Sequence, residues 1–363
     1  MSQIITPIFN IDSPYRRLAA SLDALPNRYP PADDDSDLRL LAYLFSPQEA
    51  DLAGRLLPEP ETTAQISSRL GRDSQETTAL LKEMGKKGLI AFGRTPEGRP
   101  GFGLRPFIVG IYEAYADRID AEMARLFEVY FKKSFGMALK VQPQVHRVIP
   151  VGQSVKNNME VQPYESVTAL VDGAKAWAVL DCICRKQKAL IGEACGHPLD
   201  VCMTLSQKPG AFDGADTGFG LHDLTHDEAR QTLERAAAAG LVHCVSNNQR
   251  DLWYICNCCT CSCGVLRGMA DLGISNVVAR SAFINRVDEE ACAACEDCVD
   301  ACPFGALTVD GFAHVNETRC VGCGVCVATC PQGALGLERR VDAAEPPLSE
   351  EEWRAERRVA MDS

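Results

Sequence analysis

The sequence predicts a multidomain α+β protein, and three observations point that way. The chain has 363 residues, more than one ordinary core holds and about right for two or three domains. Hydrophobic residues make up 46% and charged residues 24%, the proportions of a folded soluble chain. Patterning also changes along the length. Helical spacing dominates the first 136 residues, whereas short β-prone runs and all eighteen cysteines fall between 182 and 330.

Residues 1–35 read as an extended arm, because "YPPADDDSD" resists regular structure. From 36 to 106 three helical stretches come first. "DLRLLAYLFSPQEADLAGRL" has apolar helical spacing, "TTAQISSRLG" closes on Gly71, and "RDSQETTALLKEMGKKGLI" starts on Asp73 or Ser74 and ends at Gly88. "LIAFGRTPEGRPGFGL" then reads as strand, Gly/Pro loop and return strand. This order over about 70 residues resembles a winged helix-turn-helix. Residues 107–136 predict one long amphipathic helix, with Ile108, Ile111, Tyr112, Tyr115, Ile119, Met123, Leu126, Phe127 and Tyr130 in its apolar stripe. Lys132 and Lys133 suit its last turn and Gly136 stops it.

Residues 137–285 predict a cysteine-rich α/β region. "AWAVLDCIC" (176–184) and "LWYICNCC" read as strands, and "THDEARQTLERAAAAGLV" as a helix capped by Thr225. The tail from 341 is charged, with a surface helix starting at Ser349.

Charge is uneven. Residues 1–150 hold 19 acidic and 19 basic side chains, so the net charge of −12 belongs to the remainder. Within 288–345, 11 acids face three arginines, which favours a basic protein partner over nucleic acid there. The start "MSQIITPIFNIDSPYRR" does not read as a secretion signal, and the uncharged runs 252–266 and 321–337 are too short to span a bilayer. The expectation is a cytoplasmic protein. Dense cysteine in that compartment points to metal rather than disulfides.

"CAACEDCVDACP" (292–303) and "CVGCGVCVATCP" (320–331) share the pattern C-x-x-C-x-x-C-x-x-x-C-P. Zinc prefers paired C-x-x-C units from separate hairpins, whereas three thiolates in one tight loop suit three corners of a cubane. The segment resembles the bacterial-type dicluster ferredoxin, in which the fourth cysteine of each motif ligates the other cluster. The resemblance implies a ferredoxin-like (βαββαβ-type) module over 286–340. It implies that Cys292, Cys295, Cys298 and Cys330 hold one [4Fe–4S] cluster, and Cys320, Cys323, Cys326 and Cys302 the second. Small residues (Ala293, Ala294, Gly322, Gly324) let backbone N–H groups approach cluster sulfurs. Glu296, Asp297 and Asp300 should lower the first cluster's potential.

The remaining cysteines are Cys182, Cys184, Cys195, Cys202, Cys256, Cys258, Cys259, Cys261 and Cys263, with Cys244 apart from them. On strands, Cys182 and Cys184 share a face, as do Cys256 and Cys258, while Cys259, Cys261 and Cys263 face the other way if the strand runs on. Bare thiols on both faces make a poor core and a good ligand source. They predict one or two further iron–sulfur clusters. Cys182, Cys184, Cys195 and Cys202 form one possible quartet with a second drawn from 256–263, or the two groups interleave. A zinc knuckle is the alternative. The Cys258–Cys259 pair resembles the cysteine-rich domains of heterodisulfide reductases, although the rest of that spacing is absent. Cys244 and His197 read as structural residues. As a whole, the order of segments resembles multidomain ferredoxin-type proteins of anaerobic prokaryotes.

The expected function is single-electron relay to or from a partner oxidoreductase, as a subunit or carrier rather than as a catalyst alone. The alternative is a redox-sensing winged-helix regulator bound to DNA. Residues 61–105 carry eight basic and five acidic side chains, yet Asp73 and Glu76 stand where phosphates would approach. No dinucleotide fingerprint, phosphate loop or Ser–His–Asp spacing names a catalytic residue.

Overall fold

The computed structural model describes residues 13–151, 154–155, 159–214 and 220–362, and the chain forms two compact units. The first is mostly helical and takes in the chain as far as Ala138 together with Ala189–Glu193. Its opening helix, α1 (Pro14–Asp23), corrects the expected extended arm. Ser13 caps it, Pro14 starts it, and Leu18 and Leu22 are buried, so its apolar face stabilises it despite the polar stretch that follows. The arm's first twelve residues lie outside the described ones.

The first helical stretch is two helices, α2 (Ser36–Leu44) and α3 (Pro47–Ala53). Ser46 and Glu49 form a capping box and Pro47 takes the first helical position, so a new helix starts in mid-pattern. Then come α4 (Thr63–Leu70), ended by Gly71 at φ +62°, and α5 (Ser74–Lys86), capped by Asp73. Strands β1 (Ala91–Arg94) and β2 (Pro100–Gly103) pair antiparallel as a hairpin.

The long helix expected over 107–136 is broken. Residues 107–111 make one wide turn with Val109 at φ +48°, 113–115 make a short 3₁₀ turn, and α6 spans Ala121–Lys133. Asp120 is the physical reason. Its carboxylate accepts the N–H groups of Glu122 and Met123 at 3.0 and 2.9 Å, which starts a helix where the apolar spacing alone would continue one. The apolar stripe is core: Tyr112 stacks on Phe127 at 4.2 Å, and the Tyr130 hydroxyl donates to the Pro30 carbonyl.

The second unit is built on a six-stranded antiparallel sheet in the order β3–β7–β8–β5–β4–β6. The strands are β3 (His146–Ile149), β4 (Ala176–Asp181), β5 (Asp200–Ser206), β6 (His222–Leu224), β7 (Val242–Ser246) and β8 (Tyr254–Cys258). Helices α7 (Val167–Gly173) and α9 (His226–Ala238) cover one face, burying Ile149, Val171, Met203, Leu205, Leu233, Val245 and Ile255. Strand alternation then puts His146, Val148, Cys202, Cys244, Cys256 and Cys258 on the opposite face. That face is where thiols gather.

The expected strand over 176–184 stops at Asp181, and α8 (Ile183–Leu190) begins immediately. Cys182 therefore sits at the junction and Cys184 on the helix, rather than side by side on a strand. Beyond β8 the chain turns into α10 (Arg267–Ala270), so Cys259, Cys261 and Cys263 lie on a turn rather than on a strand's reverse face.

The cysteine quartets lie between β9 (Phe283–Val287) and β12 (Leu335–Arg339), which pair antiparallel. Between them come α11 (Asp297–Ala301), the hairpin β10 (Leu307–Asp310)–β11 (Phe312–Val315), and α12 (Val325–Thr329). The tail helix α13 (Glu350–Asp362) is docked, not merely superficial. Trp353 donates to the Gln144 carbonyl at 2.9 Å, and the fully buried Arg357 donates to the carbonyls of Val141 and Pro143 at 2.6 Å.

Candidate metal centres

Both quartet loops adopt the same backbone. Ala294 and Gly322 occupy corresponding positions at φ +53° and +71°, and Glu296 and Gly324 follow suit at +68° and +76°. These left-handed residues coil each C-x-x-C-x-x-C loop tightly, and short helices α11 and α12 then carry Cys302 and Cys330 away. Cys292, Cys295, Cys298 and Cys330 line one cavity. Cys326 is pushed up by burial and then by the neighbouring Cys323, Cys302, Cys320 and Cys298. Burial raises Cys323 to about 12.

The two sets differ in environment. Cys295 is exposed and Cys292 half-buried, whereas Cys320, Cys323 and Cys326 are all buried. Asn285 donates to the Cys326 sulfur at 3.3 Å, and the Ala306 N–H donates to the Cys302 sulfur at 3.2 Å. Around the first set stand Glu296, Asp297 and Asp300. The residues suit two iron–sulfur clusters: four soft donors around each centre, with no three sulfurs among the described residues of this segment within 4.8 Å of one another. Cluster ligands are held apart by the cluster's own width, whereas ligands of one ion crowd together.

The other cysteines divide unexpectedly. Cys182 neighbours Cys184 and Cys202, Cys184 neighbours Cys263, Cys263 neighbours Cys258, Cys258 neighbours Cys256, and Cys256 neighbours Cys202. Six thiols thus close a ring beneath the sheet, with Cys244 attached through Cys258. The neighbouring Cys184 and Cys202 hold Cys182 well below the ordinary thiol range, and Cys182 in turn pushes Cys184 and Cys202 well above it. A single tetrahedral ion uses four ligands, so six soft donors in one ring suit a site with more than one metal atom. Cys244, read as structural from sequence, touches this ring.

Cys195 is not in the ring. It stands with Cys259 and Cys261, the three sulfurs all lying within 4.8 Å of one another. Cys195 thus lies beside Cys259 and Cys261, whereas Cys182, Cys184 and Cys202 lie beside one another. Arg185 lies by both groups: it is 2% exposed, and burial works against its charge while the nearby sulfurs, Cys182 first among them, favour it. Its guanidinium donates to the carbonyls of Pro198 at 3.0 Å and Asn257 at 2.7 Å. Sequence reasoning passed over Arg185, although its place one residue after Cys184 was the available signal. His146 was missed too. It is 4% exposed beside Cys263, with no hydrogen-bond partner on either ring nitrogen.

A sulfur-rich chain with these centres is an iron–sulfur protein. Residues 291–334 match the family of 4Fe-4S dicluster domains, which supports [4Fe–4S] clusters near the C-terminus and a role in electron transfer. No curated protein and no solved structure matches. Among the described residues no helix is long and apolar enough to cross a membrane.

Proposed function

We propose that this chain relays single electrons between a partner oxidoreductase and its own buried centres, through at least one iron–sulfur site beyond the dicluster domain. The observation that carries the reading is the pair of cysteine sets within the matched segment, one with an exposed member, Cys295, and one with none. The set that reaches solvent through Cys295, holding Cys292, Cys295, Cys298 and Cys330, is the exit, and the acids beside it favour a basic docking surface on the partner. The buried set, holding Cys320, Cys323, Cys326 and Cys302, is the inner station.

Strand β3 supports a path inward from there. The Val151 N–H, just beyond its end, donates to the Cys323 carbonyl at 2.8 Å, while His146 at its other end lies against the thiol ring. Five residues of extended chain span about 16 Å. A multinuclear iron–sulfur cluster held by Cys182, Cys184, Cys202, Cys256, Cys258 and Cys263 would thus be the third station, with Arg185 offsetting its negative charge.

Residues 36–106 are read as a winged helix used for protein docking rather than DNA binding. Three basic side chains that would meet phosphates are already engaged: Arg69 by Glu61, Arg72 by Asp51, and Lys87 by Glu49. A salt-dependent gel shift tests the DNA-bound alternative, and a shift at low salt would restore it.

Iron and sulfide analysis on anaerobically purified full-length protein tests the relay. About twelve irons per chain are expected, eight in the dicluster domain and the rest in the ring. Colourless protein with zinc in place of iron would overturn the reading.

A further inference from the structure

We propose that Cys195, Cys259 and Cys261 hold a single thiophilic divalent ion, zinc in class, separate from the iron–sulfur centres and open at its fourth position. This goes beyond the electron-relay reading and does not depend on it.

Spacing carries the argument. Every pair among the three sulfurs is within 4.8 Å, and no other trio of Cys, His, Asp or Glu side chains among the described residues is grouped so closely for a metal. Three ligands at the usual zinc–sulfur length of about 2.3 Å sit about 3.8 Å apart around one tetrahedral centre. A short closing movement would bring these sulfurs to that spacing, whereas a cubane would have to force them apart.

Surroundings agree with one ion. Cys259 and Cys195 pack against an apolar wall of Val201, Ala236, Leu241 and Ala239. Away from that wall Cys261 is exposed and Cys195 half-buried, so the site has an edge in water. The hydroxyl of Ser262, itself 1% exposed, lies 3.3 Å from the Cys195 sulfur and 4.0 Å from that of Cys261, placed to hydrogen-bond to ligand sulfurs. Three thiolates on a divalent cation leave one net negative charge, and Arg185 supplies the nearby buried positive charge. No fourth Cys, His, Asp or Glu joins the group among the described residues. Three protein ligands with a vacant fourth position are the arrangement of zinc sites that bind an exchangeable water or a substrate donor.

The test is metal analysis of the anaerobic full-length protein and of Cys261→Ser. About one zinc per chain is expected beside the iron, and the variant should lose it while keeping its iron. Cys261→His keeps three donors and should retain the ion, which guards against a variant that simply misfolds. Cobalt exchanged into the site should give intense thiolate charge-transfer bands that shift on adding a small thiol. Loss of iron rather than zinc from Cys261→Ser would overturn the single-ion proposal. Cobalt bands indifferent to added thiol would overturn the open fourth position. Neither result touches the dicluster iron, so failure here is separable from failure of the relay.

Discussion

The side-chain amide of Asn285 donates to the sulfur of Cys326 across 3.3 Å, from the middle of β9 to the third cysteine of the second quartet. Asn285 is 2% exposed and its Oδ1 has no hydrogen-bond partner, so the amide serves through its N–H. A hydrogen bond to a ligand sulfur stabilises the more negative, reduced cluster and raises its potential. Asn285→Leu should lower the midpoint of one cluster by roughly 40 mV, the one-electron equivalent of about 1 kcal/mol. A redox titration followed by paramagnetic resonance measures it, and an unchanged midpoint would count against the assignment.

Corresponding loop positions should respond oppositely. A β-carbon at Gly322 would run into the Phe283 carbonyl oxygen and the Ser281 hydroxyl, at φ +71°. Gly322→Ala is expected to cost about 3 kcal/mol or more from strain and overpacking, with loss of roughly half the dicluster iron. Ala294 already tolerates φ +53° in the first loop. Ala294→Gly should change stability by less than about 1 kcal/mol, since relieved strain offsets added chain entropy. Iron content and thermal midpoints decide between these outcomes.

Replacing Arg185 should injure the thiol ring and spare the ferredoxin-type loops. Arg185→Met removes the donors to the carbonyls of Pro198 and Asn257 and the charge facing the sulfurs. The expected cost is about 3–5 kcal/mol, the range for one partner lost from a buried charge pair. Iron beyond the first eight atoms per chain should fall while the dicluster resonances persist. Equal loss from all centres would argue against a separate ring site.

Acid should destabilise the central sheet before it protonates surface carboxylates. Burial pushes His243 down to about 4, although its ring N–H donates to the Asn257 amide oxygen. The unfolded chain takes up a proton below the ordinary value near 6.5, and the folded chain resists until about 4. Stability from this group is therefore complete above 6.5 and lost as pH falls through that window. From pH 7 to pH 5 the loss should be about 2 kcal/mol. His243→Gln, which keeps a donor for Asn257, should flatten the dependence in chemical denaturation, and an unaltered slope would place its cause elsewhere.

Local spacing made much of this protein legible. The caps at Asp73 and Thr225, the stop at Gly71 and the matched C-x-x-C-x-x-C loops are short-range patterns, and each is formed where the residues indicate. Helix starts inside an apolar pattern, at Ser46 and Asp120, were harder, because a cap acts over three residues while periodicity is read over many. Which thiols share a centre was decided by tertiary structure alone. Cys202 and Cys256 meet because β5 and β8 are neighbours, Cys182 joins them because β4 ends there, and Cys195 is carried to Cys259 instead. Sequence states which atoms are available to bind metal. Only strand order and register bring them within a bond length or two, because those contacts join residues up to about eighty positions apart.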